Sequence, residues 1–164
     1  MSNVWLIGLG KMSFEYSKVL EYLDVDFISV GRSKINKSFK KYHKNIYENG
    51  LSSFLKLQKS PAKYAIIAVN IEELYDVCFK LINFNVKNIL LEKPGSLNIN
   101  DLRKLYNASK KKKIKIHIAY NRRYYSSVIH IKEFYLKRYK LTSANFDFTE
   151  IKERFLKKFP KKII

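Results

Sequence analysis

Near its start the chain reads VWLIGLGKMS over residues 4–13. The first four residues form a continuous apolar run, which is typical of a parallel strand covered on both faces. Glycines at positions 8 and 10 interrupt the run, and apolar residues at helical spacing then continue from Met12 to Leu23. A strand, a glycine turn and a helix in this order indicate the first unit of a doubly wound α/β sheet.

The same alternation continues along the chain. It predicts strands at 26–30, 64–69, 88–92 and 114–119, and helices at 12–23, 71–84 and from Asn98 or Asn100 to the lysine run at 110–113. Residues 34–60 are polar and lysine-rich and predict only a short helix at 52–57. We therefore expect residues 1–120 to form a Rossmann-type parallel sheet with helices on both faces. Residues 121–164 are expected to hold a connecting helix at 123–138 and a first strand at 142–151 of an incomplete second domain.

The composition suits one ordinary domain with a real core, because 46% of the 164 residues are apolar. Such an apolar fraction is too high for a disordered basic tail, although the net charge is +19. The excess is uneven, since residues 1–100 carry 14 basic and 9 acidic side chains and residues 101–164 carry 19 and 5. Lysines at the end of a helix also have a purely structural role, so the charge favours no function without further support.

Targeting signals and cysteines indicate the compartment. No apolar run approaches the ~20 residues of a membrane-spanning helix, and the start of the chain lacks the basic segment of a signal peptide. Cys78 is the single cysteine, which excludes a disulfide framework within the sequence and fits a reducing environment. We expect a cytoplasmic protein without a membrane segment, and no His, Cys or carboxylate cluster has the spacing of metal ligands.

The glycine turn predicts a binding site for a dinucleotide. In such sites the first glycine, here Gly8, makes the tight turn, and the second, here Gly10, leaves room for the pyrophosphate. Lys11 and Met12 then open the helix whose amides face the phosphates, and Ser13 stands where a third glycine is usual. An ordinary glycine turn without a ligand is the alternative interpretation.

The end of the second strand bears on the choice of cofactor. An NAD site places a carboxylate there for the ribose hydroxyls, whereas this chain has Gly31-Arg32-Ser33. A guanidinium and a hydroxyl are suited to bind a phosphate, so Arg32 and Ser33 predict NADP as the preferred cofactor, with NAD possible. The alternative is that Arg32 stacks on adenine or faces solvent.

Two further motifs follow predicted strands. Glu92-Lys93-Pro94 ends one strand, where a lysine beside a carboxylate can orient a hydroxyl group or assist its proton transfer. Asn121-Arg122-Arg123 follows the next strand, so Asn121 and Arg122 are expected to reach the same crevice. Each motif taken singly is also compatible with ordinary surface charge.

Together with Ala68-Val69-Asn70 at the end of a middle strand, these motifs resemble the N-terminal half of the glucose–fructose oxidoreductase / inositol dehydrogenase (Gfo/Idh/MocA) family. The resemblance implies hydride transfer between a nicotinamide cofactor and a hydroxyl of a sugar, sugar nucleotide or polyol. It implies that Lys93 is the catalytic residue, binding both cofactor and substrate. It also implies that Val69, Asn70, Glu92, Asn121 and Arg122 help to bind the cofactor.

The sequence departs from this family beyond residue 120. Family members have a second domain that binds substrate and supplies an Asp/His pair, and no Asp-x-x-x-His arrangement occurs here. Of the three histidines, His117 is expected to be packed and His43 and His130 to lie on the surface. An apolar face at 144–148 would favour association, either with a second copy or with a complementing subunit.

Two other functional classes stay open. A non-catalytic dinucleotide-binding subunit or sensor would bind cofactor without turnover. A nucleic-acid-binding protein would use the basic C-terminal part and lose affinity steeply with salt. The second alternative leaves the Glu92-Lys93-Pro94 and Asn121-Arg122-Arg123 motifs unexplained.

Overall fold

The structure is a computed structural model that describes residues 3–43, 45–140, 142, 143 and 145. The chain divides into two compact units, residues 1–120 and 121–164. Within the described residues, none of the helices has both the length and the apolar character that crossing a membrane requires.

The first unit is built on a six-stranded sheet in which every pairing is parallel. Its strands are β1 (Val4–Ile7), β2 (Phe27–Val30), β3 (Asn45–Tyr47), β4 (Tyr64–Ile67), β5 (Asn88–Leu91) and β6 (Lys115–Ile118), in the order β3-β2-β1-β4-β5-β6. The chain thus runs outward from β1 in one direction and from β4 in the other. This confirms the predicted doubly wound sheet and makes the β1/β4 junction its topological switch point, where open α/β sheets bind ligands.

Four α-helices accompany the sheet: α1 (Lys11–Tyr22), α2 (Leu51–Leu57), α3 (Leu74–Asn83) and α4 (Ile99–Lys111). Short 3₁₀ helices lie at Lys37–Tyr42 and Ile71–Glu73. Asn98 caps α4, since its side-chain oxygen accepts a hydrogen bond of 2.8 Å from the Asn100 N–H. Asn98, rather than Asn100, is therefore the cap that the sequence analysis left open.

The buried apolar residues of the sheet belong to two separate clusters. Trp5 and Ile7 of β1 belong to a large cluster that takes in buried side chains from α2, α3 and α4. Val4 and Leu6 belong to a smaller cluster with Leu20 of α1. Because successive strand residues point to opposite faces, the two clusters cover the two faces of the sheet. The expected helices on both faces are therefore present.

Residues 34–60 hold more structure than the sequence predicts. Besides the expected short helix, they contain the 3₁₀ helix at 37–42 and the edge strand β3. The predicted surface position of His43 is wrong, because His43 is 4% exposed and its Nδ1 lies 2.6 Å from Ser29 Oγ. The predicted packing of His117 is also wrong, because this residue is exposed on the edge strand β6. An edge strand is covered on fewer sides, so alternation along it does not ensure burial.

The second unit begins with a 3₁₀ helix at Asn121–Tyr124, followed by α5 (Ser126–His130) and a π-helical turn at Ile131–Tyr135. The single continuous helix predicted for 123–138 is therefore wrong. Aromatic residues of the second unit contact one another, and the rings of His130 and Phe134 are stacked with their centroids 5.3 Å apart. The predicted strand at 142–151 and the apolar face at 144–148 lie outside the described residues, apart from residues 142, 143 and 145.

Candidate functional site

Gly8 makes the turn after β1 and is a glycine for steric reasons. Its φ is +122°, a conformation that side chains rarely adopt. A Cβ on Gly8 would lie 2.2 Å from the carbonyl oxygen of Ala68, which directly follows β4. The Gly8 N–H also donates a 2.8 Å hydrogen bond to the Val30 carbonyl oxygen at the end of β2. The turn is thus pressed between the ends of the two strands that flank β1.

Gly10 precedes α1, and neither its conformation nor its packing requires a glycine. Its backbone is extended, with φ −90° and ψ −171°. A Cβ built on it would meet nothing in the described structure within 4 Å beyond its chain neighbours and the helix's own backbone. The amides of the first helical turn, at Lys11, Met12 and Ser13, have no acceptor within the helix. Amides of this kind at the start of a helix, with open space beside them, are suited to an anion.

Ser13 occupies the third position of the glycine motif and is fully buried. Its hydroxyl donates a 2.6 Å hydrogen bond to the carbonyl oxygen of Gly8. The serine is small enough to let α1 approach the sheet. The hydrogen bond is an additional feature that the motif did not predict, and it ties the helix to the turn.

The end of β2 carries an ion pair that sequence reasoning missed. Arg32 Nη1 lies 2.6 Å from Glu73 Oε1, in the 3₁₀ helix that follows β4. The Arg32 side chain is still 71% exposed, and Ser33 is exposed beside it. Because β1 lies between β2 and β4, this pair links the segments on either side of the glycine turn. Glu73 is distant in sequence, and no local pattern marks it as a partner of Arg32.

The end of β4 contributes Val69 and Asn70. Val69 is half-buried and packs against the large cluster, whereas Asn70 is exposed. The Asn70 carbonyl oxygen accepts a 3.0 Å hydrogen bond from the Glu73 N–H. Asn70 therefore begins the short helix that carries Glu73.

The end of β5 is organised around the carboxylate of Glu92. Its Oε1 accepts a 2.6 Å hydrogen bond from the hydroxyl of Tyr16 on α1, and its Oε2 accepts a 3.2 Å bond from the Lys93 N–H. Lys93 itself is exposed and is joined to Pro94 by a cis peptide bond. Burial, followed by the hydrogen bond and charge of Glu92, raises the pKa of Tyr16 well above its ordinary value. In the sequence, Tyr16 is only one of the residues at helical spacing between Met12 and Leu23.

The predicted site residues of the first unit thus follow the carboxyl ends of four adjacent strands: Gly8, Gly10, Lys11 and Met12 after β1, Arg32 and Ser33 after β2, Val69 and Asn70 after β4, and Glu92 and Lys93 after β5. Asn121 and Arg122 are exposed in the 3₁₀ helix that opens the second unit, so their part in this site stays a prediction. Among the described residues, no group of three or more His, Cys, Asp or Glu is arranged to hold a metal ion.

Comparison with known proteins gives matches in structure only. No family model and no curated protein matches the sequence. The WlbA dehydrogenase of Thermus thermophilus, solved with NAD and alpha-ketoglutarate, matches with a TM-score of 0.70 and 16% identity over 81% of this chain and 46% of its own. The WlbA dehydrogenase of Bordetella pertussis, solved with NADH and UDP-GlcNAcA, matches with a TM-score of 0.66 and 13% identity over 80% and 41%. The UDP-N-acetylglucosamine 3-dehydrogenase GnnA of Acidithiobacillus ferrooxidans matches with a TM-score of 0.64 and 11% identity over 79% and 40%.

These matches confirm the resemblance at the level of the fold. The matched proteins are oxidoreductases of the Gfo/Idh/MocA type, and the match fits their N-terminal half. This chain spans less than half the length of each of the three. At identities of 11 to 16%, the similarity shows a shared fold.

Proposed function

We propose that this chain is the NAD(P)-binding module of an oxidoreductase acting on a hydroxyl group of a sugar, sugar nucleotide or polyol. The observation that carries the proposal is Gly10, a glycine without a steric reason at the switch point of the sheet. A side chain there would stand in front of the first amides of α1, where a pyrophosphate has to approach. The dinucleotides and sugar nucleotide held by the matched structures support the same ligand class.

Each residue then has a defined task. The amides at the start of α1, with Lys11 and Met12 beside them, hold the pyrophosphate, and Val69 and Asn70 border it at the end of β4. The nicotinamide, when bound, supplies the carbon that accepts or donates the hydride. Lys93 is exposed at the end of β5, and its ammonium orients the reacting hydroxyl and stabilises negative charge on that oxygen. Asn121 and Arg122 are proposed to line the nicotinamide side.

For the cofactor, we propose a preference for NADP(H), with NAD(H) also bound. The segment Gly31-Arg32-Ser33 has no acidic side chain of its own to repel a 2′-phosphate, and the Glu73 carboxylate that does reach the end of β2 is paired with Arg32. A guanidinium has five N–H donors, and the pairing with Glu73 engages Arg32 through Nη1. The exposed remainder of the group is suited to bind a phosphate.

For compartment and partners, we propose a cytoplasmic protein whose substrate side is completed by a second copy or by another subunit. The single cysteine, Cys78, is fully buried and is a free thiol, as is usual in a reducing compartment. In the second unit, Phe134, Tyr135 and Leu136 expose 43%, 50% and 48% of their surface. Neighbouring exposed apolar side chains of this kind favour association.

The decisive experiment is the substitution Gly10→Val. We expect it to weaken NADPH and NADH binding by at least about a hundredfold, because the side chain displaces charge-assisted hydrogen bonds between phosphate and amides. Binding is measured by titrating the purified chain while following nicotinamide fluorescence. Val19→Ala on the exposed side of the same helix is the control and should bind as the wild type does. Unchanged affinity in Gly10→Val would remove the glycine turn from the site.

The cofactor preference is tested with Arg32→Gln. Loss of the guanidinium should weaken NADPH binding about tenfold or more, while NADH binding changes less than about twofold, because only NADPH carries the additional phosphate. Lys34→Gln removes an exposed cation two positions away and serves as the matched control. A wild-type preference for NADH, or equal losses for both cofactors in Arg32→Gln, would refute the assignment.

A further inference from the structure

Tyr16 connects the two ends of the proposed site through a single side chain. It lies on α1 six residues after Gly10, which is about 9 Å along a helix axis. Its ring packs against the small cluster beside Leu6 and Leu20. Its hydroxyl extends beyond that cluster and donates the 2.6 Å hydrogen bond to Glu92.

The Glu92 carboxylate in turn holds the turn that carries Lys93. Its second oxygen accepts the Lys93 N–H at 3.2 Å, and the Glu92 carbonyl oxygen accepts the Gly95 N–H at 3.0 Å. The Glu92 N–H donates to Ile67 at the end of β4, at 3.0 Å. The backbone of Glu92 is therefore fixed by the sheet, while the direction of its carboxylate depends on Tyr16.

We propose that Tyr16 is a positioning residue, which orients Glu92 and so holds the Lys93 turn at a fixed place relative to the phosphate-binding end of α1. This inference rests on the proposed function, since the relation matters only if the helix holds the pyrophosphate and Lys93 the reacting hydroxyl. A phenylalanine would pack equally well against the small cluster. The hydroxyl therefore has its use in the contact with Glu92.

The acid–base state of the pair suits this task. An exposed tyrosine with no charged neighbour has a pKa of about 10. Burial and the neighbouring carboxylate of Glu92 raise the pKa of Tyr16 above that value. The phenol consequently stays protonated at neutral pH, and it donates the hydrogen bond to the Glu92 carboxylate. Such a charge-assisted bond is stronger than a bond between neutral groups.

The first test is Tyr16→Phe in the cofactor-free chain, with amide hydrogen exchange of Lys93 and Gly95 followed by NMR. Release of the carboxylate should raise the exchange rate of both amides about fivefold, the effect of losing about 1 kcal/mol of local stabilisation. Exchange at Ile89 in the core of β5 corrects for any change in global stability. The matched control is Tyr22→Phe, because Tyr22 is on the same helix and 88% exposed. Unchanged exchange at Lys93 and Gly95 in Tyr16→Phe would overturn the proposal.

A second variant tests the same hydrogen bond from the side of Glu92. Glu92→Ala removes the other partner of the same hydrogen bond, and we expect it to raise the same two exchange rates. The double variant should exchange no faster than Glu92→Ala alone, because Tyr16 acts through Glu92. A further increase in the double variant would mean that Tyr16 acts through packing, and the proposal would be wrong.

NADH binding to the same variants tests whether the Lys93 turn lies at the cofactor site. Tyr16→Phe should keep the dissociation constant within about threefold, since the phosphate contacts stay, but should reduce the increase in nicotinamide emission on binding. Full emission together with faster exchange would show that the turn does not contact the nicotinamide, which would refute the positioning role. A wild-type chain that binds neither NADH nor NADPH would refute the proposed function, and the exchange rates would still decide whether Tyr16 holds the turn.

Discussion

Gly8 and Gly10 stand two positions apart in one turn, and the structure gives them different reasons for being glycine. Gly8 has a positive φ and no room for a Cβ against Ala68, so the protein's own backbone requires it. Gly10 has an ordinary φ and open space, so the polypeptide itself does not require a glycine there, whereas the proposed phosphate site does. The motif in the sequence does not distinguish these two cases.

The difference predicts that substitution by alanine destabilises the protein strongly at Gly8 and little at Gly10. Gly8→Ala should lower the free energy of unfolding by about 2–4 kcal/mol, because strain in the backbone adds to a clash with Ala68. Gly10→Ala should change it by less than about 1 kcal/mol, since an alanine fits there and reduces the entropy of the unfolded chain. Urea unfolding of both variants measures the two values. Similar losses in both would contradict the separation of structural and ligand-binding glycines.

The 3₁₀ helix at 37–42 and strand β3 are elements whose stability comes from contacts with distant parts of the chain. Phe39 stacks on Phe14 of α1 with ring centroids 5.1 Å apart. His43 follows the 3₁₀ helix and lies against Ser29 of β2, inside the core. A polar, lysine-rich stretch has no periodicity that would reveal these contacts, so the sequence predicted little for this segment.

The burial of His43 predicts a dependence of stability on pH. Burial lowers the pKa of His43 below its ordinary value of 6.5 in the folded chain. As the pH falls below 6.5, the unfolded chain therefore binds a proton that the folded chain does not, and stability is lost; it is fully present above that pH. Urea unfolding at pH 7.5 and 5.5 should show a smaller pH effect in His43→Gln than in the wild type.

His117→Gln is the control for this experiment, because His117 is exposed on β6. It should keep the wild-type pH dependence. If His43→Gln kept that dependence as well, other groups would be responsible for it.

For the molecule as a whole, the dominant electrostatic property is the net charge of +19, from 33 basic and 14 acidic side chains. Surface ion pairs such as Lys104–Asp101, at 3.1 Å, leave this net charge unchanged, because both of their charges are already counted in it. With a net charge so far from zero, the positive side chains of the folded chain repel one another and destabilise the folded state. The similarity in fold provides no account of this charge.

Salt should therefore stabilise the chain. Raising NaCl from 20 to 200 mM shortens the Debye length from about 20 Å to about 7 Å and should increase the free energy of unfolding by on the order of 1 kcal/mol. Urea unfolding at several salt concentrations measures the effect, and KCl should act like NaCl because screening depends on ionic strength. A decrease in stability with either salt would mean that attractive pairs outweigh the repulsion.

Much of the fold was predictable because its signals are local. The apolar run at 4–7, the glycines after it and the helical spacing that follows belong to one short stretch, and β1 and α1 form there. The placement of the candidate site residues at the ends of β2, β4 and β5 was predictable for a related reason, since parallel strands bring their carboxyl ends to one edge. That these residues bind a cofactor, the preference for NADP, and the roles of Lys93, Asn121 and Arg122 stay predictions.

The spacing of apolar residues along the sequence thus determined that strands and helices alternate and that the glycine turn precedes the first helix. This spacing carries the information because it follows the side of each element that is buried. Only the tertiary structure decided which side chains of the candidate site form hydrogen bonds and ion pairs with each other. Arg32 forms an ion pair with Glu73, and Ser13 donates a hydrogen bond to the carbonyl oxygen of Gly8. Tyr16 donates a hydrogen bond to Glu92, which is 76 residues away in the sequence. Hydrogen bonds and ion pairs act over about 3 Å, so a pair distant in sequence exists only where packing of the elements brings the two groups together.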